Sequence, residues 1–165
     1  MAFQVYAELT ANGTALTADS TNTSVGGLDV SAMVECFSLE FAVANNVEGA
    51  STSSTALRTF SPLKLRKRSS GNTAELWQAS LTNQNISGTF HMFDTNPEDG
   101  STRERFNIVF TNARIVALDT CSPDTSNPAL ASMAQYDVVE LIPHTMRISD
   151  LVNSTEYEWS WSELV

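Results

Sequence analysis

The chain has 165 residues and a mass of 17.9 kDa, which is the size of one domain and leaves little room for a second. Hydrophobic residues make up 42% of the sequence, enough to form a core, so a wholly disordered chain is disfavoured. Nineteen Asp and Glu against nine Lys and Arg give a formal net charge of −10, which disfavours binding of nucleic acid through phosphates. We therefore expect one acidic domain spanning residues 1–165.

Targeting signals and cysteine spacing exclude further classes of protein. The N-terminus lacks the basic and apolar regions of a signal peptide, and no later stretch approaches the length of a membrane helix. We therefore expect a protein without a signal peptide that does not insert into membranes. Cys36 and Cys121 are far apart and form no C-x-x-C pattern, so both are predicted to be ordinary buried thiols rather than parts of a disulfide framework or zinc site.

Alternation of apolar and polar residues predicts strands in the first part of the chain. Residues 3–9 alternate and are expected to form a half-buried strand, with Tyr6 on its polar face. Residues 10–27 have the composition of a long surface loop. Residues 28–36 alternate again, and the alternation then continues in the opposite phase, which predicts a bulge or bend near Phe37.

The middle of the chain predicts a polar segment, a basic strand and a helix. Residues 44–56 are polar and too long for a simple hairpin turn. Residues 63–68 alternate leucines with cations, as expected for a strand with a basic face. Asn72 and Glu75 have the spacing of a capping box before a helix at about residues 73–83.

The last part of the chain predicts further strands. Residues 89–94 and 106–119 flank a turn at residues 96–100 and are expected to form a hairpin. Residues 120–133 form a third long connection. Next comes a predicted strand that Pro143 places at an edge or a bulge. One face of that strand is expected to carry Tyr136, Val138, Ile142, Met146 and Ile148.

A short aromatic strand with Tyr157, Trp159 and Trp161 on one face is expected to end the chain. The inventory is thus about six to eight strands and one helix. It predicts a mainly β fold, a closed or nearly closed antiparallel β-barrel or two-sheet fold with long loops.

Residue patterns for catalysis or metal binding are missing from the sequence. There is no G-x-S-x-G turn for a serine nucleophile and no paired-histidine motif for a metal. His91 and His144 are therefore predicted to be polar-face or edge residues. The acid pair Glu98 and Asp99 lies in a turn, which does not favour paired-acid catalysis. We expect no catalytic residue, no metal site and no cofactor.

The cations are concentrated in one short segment. Residues 1–57 contain six acids and no Lys or Arg, whereas residues 58–68 contain five cations and no acid. One interpretation is a solvated basic face, and the other is a patch that binds an acidic surface on another copy of the chain. Nucleic acid is disfavoured because no aromatic residue interleaves with the cations, which are Lys64, Arg66, Lys67 and Arg68.

The order of these features resembles the Hcp family, the tube-forming proteins of type VI secretion systems, which are related in fold to phage tail tube proteins. Three stretches carry the resemblance. The first is LKLRKR at residues 63–68 followed by AELWQA at residues 74–79 of the predicted helix. The others are FNIVFTNARI at residues 106–115 and YDVVELI at residues 136–142. Their order and spacing matter more than any single motif, and a tube protein of a related contractile injection system fits as well.

The resemblance implies a non-enzymatic structural subunit that forms hexameric rings, which stack into the inner tube of the secretion apparatus. Its implied partners are further copies of itself, the sheath, spike and baseplate proteins, and effector cargo in the lumen. It would assemble in the cytoplasm and be expelled to the extracellular space or the target cell. Residues expected at subunit or ring-stacking contacts are Asn45, Asn46, Val47, Glu48, Lys64, Arg66, Arg68, Glu98 and Asp99.

Two other classes of protein remain to be distinguished. A lipocalin-like β-barrel that binds a small ligand would be monomeric and would leave a cavity inside the barrel. A cupin-like enzyme would need a pair of metal-binding histidines, which the sequence lacks. Light scattering separates the tube subunit from the ligand-binding barrel, because only the former forms rings.

Overall fold

The computed structural model describes residues 5–46 and 57–160. It is mainly β, as predicted, and contains one helix, α1, at Thr73–Leu81. The strands are β1 (Val5–Ala11), β2 (Thr14–Ala15), β3 (Ser24–Val25), β4 (Leu28–Asp29), β5 (Val34–Glu40), β6 (Val43–Asn46), β7 (Leu57–Phe60), β8 (Leu63–Arg68), β9 (Ile86–Thr95), β10 (Thr102–Cys121), β11 (Tyr136–Ile142), β12 (Thr145–Asp150) and β13 (Thr155–Ser160).

Six strands form a closed antiparallel ring in the order β11, β8, β5, β1, β9, β10, and β10 pairs back with β11. The predicted barrel is therefore confirmed. β12 and β13 extend the sheet beyond the ring from β10. The strands outnumber the six to eight expected. The predicted loops contain the short strands β2, β3 and β6, residues 57–60 add β7, and the strand predicted over residues 28–36 is divided between β4 and β5.

β10 is the longest strand, with 20 residues, and it serves both the ring and its extension. Its first half pairs with β9 and β12, and its second half pairs with β11. β11 and β12 follow one another along β10 and are interrupted at Pro143 and His144, whose amide donates to the Thr111 carbonyl at 3.0 Å. The single strand expected over this stretch is thus two strands, because proline cannot donate to the ladder.

The break also changes which residues of β11 face the core. The expected inward face was that of Tyr136, Val138 and Ile142, but the structure buries the alternate residues Asp137, Val139 and Leu141. Beyond the break, Met146 faces the core as predicted. The alternation of buried and exposed residues therefore does not continue in one phase across Pro143, and the predicted face was wrong for β11, which precedes this proline.

The interior of the ring is filled by apolar side chains. Phe90 of β9 and Phe110 of β10 stack there with ring centroids 5.3 Å apart, and α1 contributes Leu76 and Ala79 to the same core. The other large, fully buried apolar side chains of this cluster are Leu63, Leu65, Ile86, Ile108, Leu141 and Met146. Burial of such side chains is the main favourable term in folding.

A second, smaller cluster lies on the opposite side of β1. Tyr6, Val30 and Met33 form it, because the segment that contains β3 and β4 packs against β1. Tyr6 is only 2% exposed, and its hydroxyl accepts a hydrogen bond from the Asn22 amide at 2.7 Å. The prediction that Tyr6 faces solvent was therefore wrong, since part of the expected surface loop covers this side of the strand.

The predicted irregularity near Phe37 is confirmed. The pairing of β5 with β8 shifts register between Cys36 and Ser38, which is the signature of a β-bulge. Cys36 is fully buried, and burial, together with the negative charge of Asp19, raises the pKa of its thiol to about 12. Cys121 at the end of β10 is only half-buried, so the prediction of a buried thiol holds for Cys36 and not fully for Cys121.

The helix begins where predicted and ends at Leu81, followed by Asn83 with a φ of 53°. The expected capping box does not form. The Asn72 amide donates to the Thr17 carbonyl instead, and the Glu75 carboxylate accepts hydrogen bonds from the amide and hydroxyl of Thr17, both at 2.8 Å. These contacts attach the loop after β2 to the start of α1. Within the described ranges, no helix has the length and apolar character needed to cross a membrane.

Candidate assembly surfaces

β8 carries the basic residues that the sequence singled out. Its side chains alternate, so that Leu63, Leu65 and Lys67 are buried while Lys64 and Arg66 are half-exposed. Arg68 at the end of the strand is exposed. We call Lys64, Arg66 and Arg68 the basic stripe. Lys67 does not belong to it, because its side chain is 0% exposed.

Lys67 is held by the buried carboxylate of Asp137 and the partly buried carboxylate of Asp19. Its Nζ lies 3.4 Å from Oδ2 of Asp137 and 3.5 Å from Oδ2 of Asp19. It also donates to the carbonyl of Arg68 and to the hydroxyl of Ser70. A buried ammonium needs such partners, because burial of an unpaired charge is very costly. The cation that the sequence grouped with the surface is thus a structural group of the interior.

Asp137 is the centre of this network. It accepts hydrogen bonds from the hydroxyls of Thr73 at 2.6 Å and of Ser69 and Thr120, both at 2.9 Å. Burial alone would raise the pKa of Asp137, but these hydrogen bonds and the charge of Lys67 outweigh it and hold the pKa below its ordinary value. The ionised carboxylate therefore joins β8, β10, β11 and the start of α1.

The three cations of the basic stripe contact different kinds of side chain. Lys64 lies 3.9 Å from both Glu40 and Glu140 of the flanking strands. The Arg66 guanidinium stacks over the Tyr136 ring at 4.1 Å, and Arg68 lies 5.7 Å from the centre of another aromatic ring, on β5. The sequence did not reveal these aromatic neighbours, because they come from other strands.

Arg66 and Arg68 are the cations of the stripe that another molecule can bind. In the described parts of the chain, neither has a carboxylate within 4.0 Å. Stacking on a ring leaves guanidinium N–H groups free to pair with a carboxylate. The stripe can therefore accept acidic side chains from a second copy.

Glu98 and Asp99 lie at the tip of the β9–β10 hairpin, which forms as predicted. Both are exposed. Asp99 accepts hydrogen bonds from the hydroxyl and amide of Ser101 at 2.6 and 2.9 Å, and these lower its pKa. No ion pair between described residues joins this tip to the basic stripe. Contact between the two surfaces therefore requires two copies.

The predicted polar segment at residues 44–56 begins in β6 and is followed by β7. Asn45 and Asn46 are the last residues of β6, opposite Arg58 and Leu57 of β7. The two strands form a separate antiparallel pair beyond β5 and β8. Two further expected contact residues, Val47 and Glu48, lie outside the described residues.

His91 departs from its predicted surface position. It is 8% exposed, with Nδ1 at 2.6 Å from Glu104 and Nε2 at 3.9 Å from Glu8. Its strand pairs with β1, where Tyr6 lies directly opposite. His144 is exposed in the turn after β11, as expected. No group of three or more His, Cys, Asp or Glu within residues 5–46 and 57–160 is arranged to hold a metal ion.

Comparison of the sequence with protein-family models gives one decisive match. Residues 24–142 match the family described as type VI secretion system effector, Hcp. The chain belongs to the Hcp family. The matched stretch contains five of the six ring strands and the helix. The resemblance inferred from residues 63–79, 106–115 and 136–142 is thereby confirmed, and the chain is a tube protein of the type VI secretion system family.

Solved structures of Hcp proteins share the fold. A crystal structure of an Hcp protein has a TM-score of 0.79 at 13% identity, covering 97% of this chain and 100% of that one. Hcp1 from the E. coli EAEC 042 pathovar has a TM-score of 0.78 at 18% identity, with 97% and 99% covered. The secreted protein Hcp3 from Pseudomonas aeruginosa has a TM-score of 0.70 at 13% identity, with 96% and 97% covered. No curated protein sequence matches this chain significantly.

Proposed function

We propose that this chain is a non-enzymatic structural subunit of 165 residues in one domain, which forms six-membered rings that stack into the inner tube of a type VI secretion system. Effectors would travel in the lumen of the tube. The observation that carries the proposal is the family match over the ring strands β5, β8, β9, β10 and β11. No cofactor is needed for this function, and the implied partners are sheath, spike and baseplate proteins.

The edge of the sheet supports assembly. β13 is the last strand of the extension and pairs on one side with β12. Tyr157 on this strand is 67% exposed and stacks on Trp159 with ring centroids 5.9 Å apart. Among the described strands β13 is at the edge of the sheet, and an edge strand with exposed aromatic residues favours contact with another chain. A neighbouring subunit in a ring supplies such a contact.

The filled ring argues against the ligand-binding alternative. A lipocalin-like barrel keeps a cavity for its ligand, whereas the interior of this ring is filled by side chains that include the stacked pair Phe90 and Phe110.

The proposal also includes the cellular location of the protein. It assembles in the cytoplasm and leaves the cell with its cargo when the sheath contracts.

Charge complementarity supports specific contacts between copies. Arg66 and Arg68 have no carboxylate partner in the described part of the chain, and Glu98 and Asp99 offer exposed carboxylates at the hairpin tip. We include in the proposal that these surfaces meet between copies and that the segment from Asn45 to residue 55 reaches towards the next ring. Heterologous contacts of this kind build rings or open filaments rather than closed dimers.

Charge reversal tests this contact. The double variant Arg66→Glu with Arg68→Glu should reduce ring and tube formation, because it places like charges opposite each other. The matched control adds Glu98→Lys and Asp99→Lys to the same chain and should restore assembly. Size-exclusion chromatography with light scattering reports rings, and negative-stain images report tubes. Unchanged assembly of the double variant would contradict the contact.

A further inference from the structure

An apolar groove lies where the β6–β7 pair joins the ring. Its volume is about 150 Å³, and its lining residues are Phe41, Ala42, Val43, Phe60, Ser61, Leu63, Met146 and Trp159. Leu63 and Met146 are buried at its floor, whereas Phe41 is 37% and Val43 53% exposed at its rim. An apolar cavity of about this size accommodates a group as large as benzene. The groove thus fits the end of one or two aliphatic side chains.

The turn between β12 and β13 presents two such side chains. Leu151 is 44% and Val152 41% exposed. Asp150 orders the turn, because its carboxylate accepts hydrogen bonds from the amide of Val152 and the side chain of Asn153, both at 2.9 Å. The amide of Leu151 also donates to the carbonyl of Arg105 at 2.9 Å. We call residues 151–154 the apolar turn, since adjacent Leu and Val side chains project from a fixed backbone.

The groove and the apolar turn lie at opposite ends of one hairpin. Trp159 in the groove pairs with Met146 at the start of β12, whereas the turn follows Asp150 at the other end of the strand. Leu151 follows Met146 by five positions, which corresponds to about 17 Å along a strand. A chain therefore cannot insert its own turn into its own groove. A contact between them joins two copies head to tail and can repeat without limit.

The two ends of the hairpin differ in charge. The apolar turn lies at the same end of the sheet as the β9–β10 hairpin tip, because Arg105 bridges Asp94 and Asp150. That end carries four acids, Asp94, Glu98, Asp99 and Asp150, against Arg103 and Arg105. At the groove end, the described residues Lys64, Arg114 and Arg147 stand against Glu40, Glu140 and Glu158, so the charges of this end balance.

We propose that the apolar turn of one copy inserts Leu151 and Val152 into the groove of a copy in the adjacent ring. The occupant of the groove is thus a second copy of this chain, and the contact is an axial one that links rings. In this arrangement the acidic end faces an end of balanced charge, which avoids repulsion between two acidic ends and so favours one polarity of stacking. The inference rests on the proposed function, since it concerns how the proposed rings stack.

Single charged substitutions separate ring formation from stacking. Leu151→Glu and Val43→Glu should each leave rings intact and lower the fraction of protein in sedimentable tubes about tenfold, because an unpaired carboxylate is costly in an apolar groove. Leu81→Glu is the matched control. Leu81 is 76% exposed on α1 and lines neither surface, so its variant should form tubes normally. Loss of the rings themselves in Leu151→Glu would overturn the inference, because the turn would then act within a ring.

Cross-linking tests the contact directly. The background is Cys121→Ser, since Cys36 is buried and its thiol is protonated, with a pKa of about 12. Leu151→Cys with Val43→Cys should give a long ladder of polymers on a non-reducing gel after mild oxidation of assembled protein, because each copy links to the next. Either cysteine alone should give none. Tubes that form without this ladder and withstand Leu151→Glu would overturn the inference and leave the proposed function intact, whereas failure of the unmodified protein to form rings would overturn both.

Discussion

Lys67 lies in the interior of the protein, although the charged segment around it has the composition of an exposed strand. The run of cations from Lys64 to Arg68 looks uniform in the sequence, yet strand alternation turns Lys67 inward. It meets Asp137, 70 residues away in the chain. Such a buried pair contributes little net stability compared with an apolar pair, but removal of one partner leaves an uncompensated charge. The network therefore fixes how β8, β11 and α1 pack together.

Asp137→Asn tests this interpretation. The substitution should lower the free energy of unfolding by about 3–5 kcal/mol at neutral pH, since Lys67 loses its closest carboxylate inside the protein. Urea denaturation monitored by tryptophan fluorescence measures the loss. Asp119→Asn, an exposed acid on neighbouring β10, is the control and should change stability by less than about 0.5 kcal/mol. Equal effects of the two substitutions would show that the buried pair has no special role.

The same network makes stability depend on pH in a defined direction. The pKa of Asp137 is lower in the folded chain than its unfolded value of about 3.9. Its contribution is therefore complete above pH of about 3.9 and is lost as the pH falls through the folded pKa. The stability difference between the unmodified protein and Asp137→Asn should narrow below pH of about 4. A difference that stays constant down to pH of about 2 would contradict this assignment.

At the scale of elements, the contact between β1 and β9 depends on a glycine. Gly88 pairs with Leu9 on one side and with Phe110 on the other. A Cβ atom at this position would overlap the carbonyl oxygen of Glu8 in the neighbouring strand. Only glycine allows the backbones to approach this closely.

Gly88→Ala should therefore destabilise the ring by about 1–3 kcal/mol, because the added methyl group must displace backbone rather than a flexible side chain. Gly71→Ala is the matched control. Its added carbon would lie 3.3 Å from a methyl group of Thr17, which can shift at little cost. Thermal unfolding of both variants gives the comparison, and a Gly88→Ala melting temperature equal to that of Gly71→Ala would refute the close-approach argument.

Local patterns predicted several elements well. The phase slip near Phe37 appears as the bulge between Cys36 and Ser38, and the β9–β10 hairpin and the helix lie where expected. These features depend on residues near one another in the chain. The alternation of β8 was also predicted, because its leucines and cations follow one another without interruption.

Features that depend on distant residues were missed. Tyr6 and His91 read as polar-face residues, because alternation assumes that one face of a strand meets water. The segment that contains β3 and β4 instead packs against that face of β1. The capping box failed for a similar reason, since Glu75 and Asn72 bond to Thr17 of a distant loop. The apolar groove likewise could not be predicted, since it combines residues from five separate strands and the links between them.

At the scale of the whole molecule, a closed ring of strands carries an extension whose two ends differ. The β9–β10 tip and the apolar turn are at one end, and the groove is at the other. Two unlike ends suit a subunit that stacks with a single polarity. The net charge opposes stacking, because each chain carries a formal charge of −10 and six copies carry about −60.

Salt should therefore promote stacking over the lower range of ionic strength. The screening length falls from about 30 Å at 0.01 M to about 10 Å at 0.1 M, so repulsion between rings weakens while the apolar contact persists. We expect a larger fraction of the protein to sediment as tubes at 0.1 M than at 0.01 M NaCl, with ring mass unchanged. A sedimented fraction that falls with added salt would show that attractive ion pairs, rather than net charge, control stacking.

The mass of the purified protein tests the central claim most directly. Light scattering at moderate salt, with negative-stain images of the same peak, should give six copies of the 17.9 kDa chain, about 107 kDa, as annular particles. Ring assembly follows from that result without reference to any relative. A monomer of 17.9 kDa that persists at high protein concentration would contradict the account.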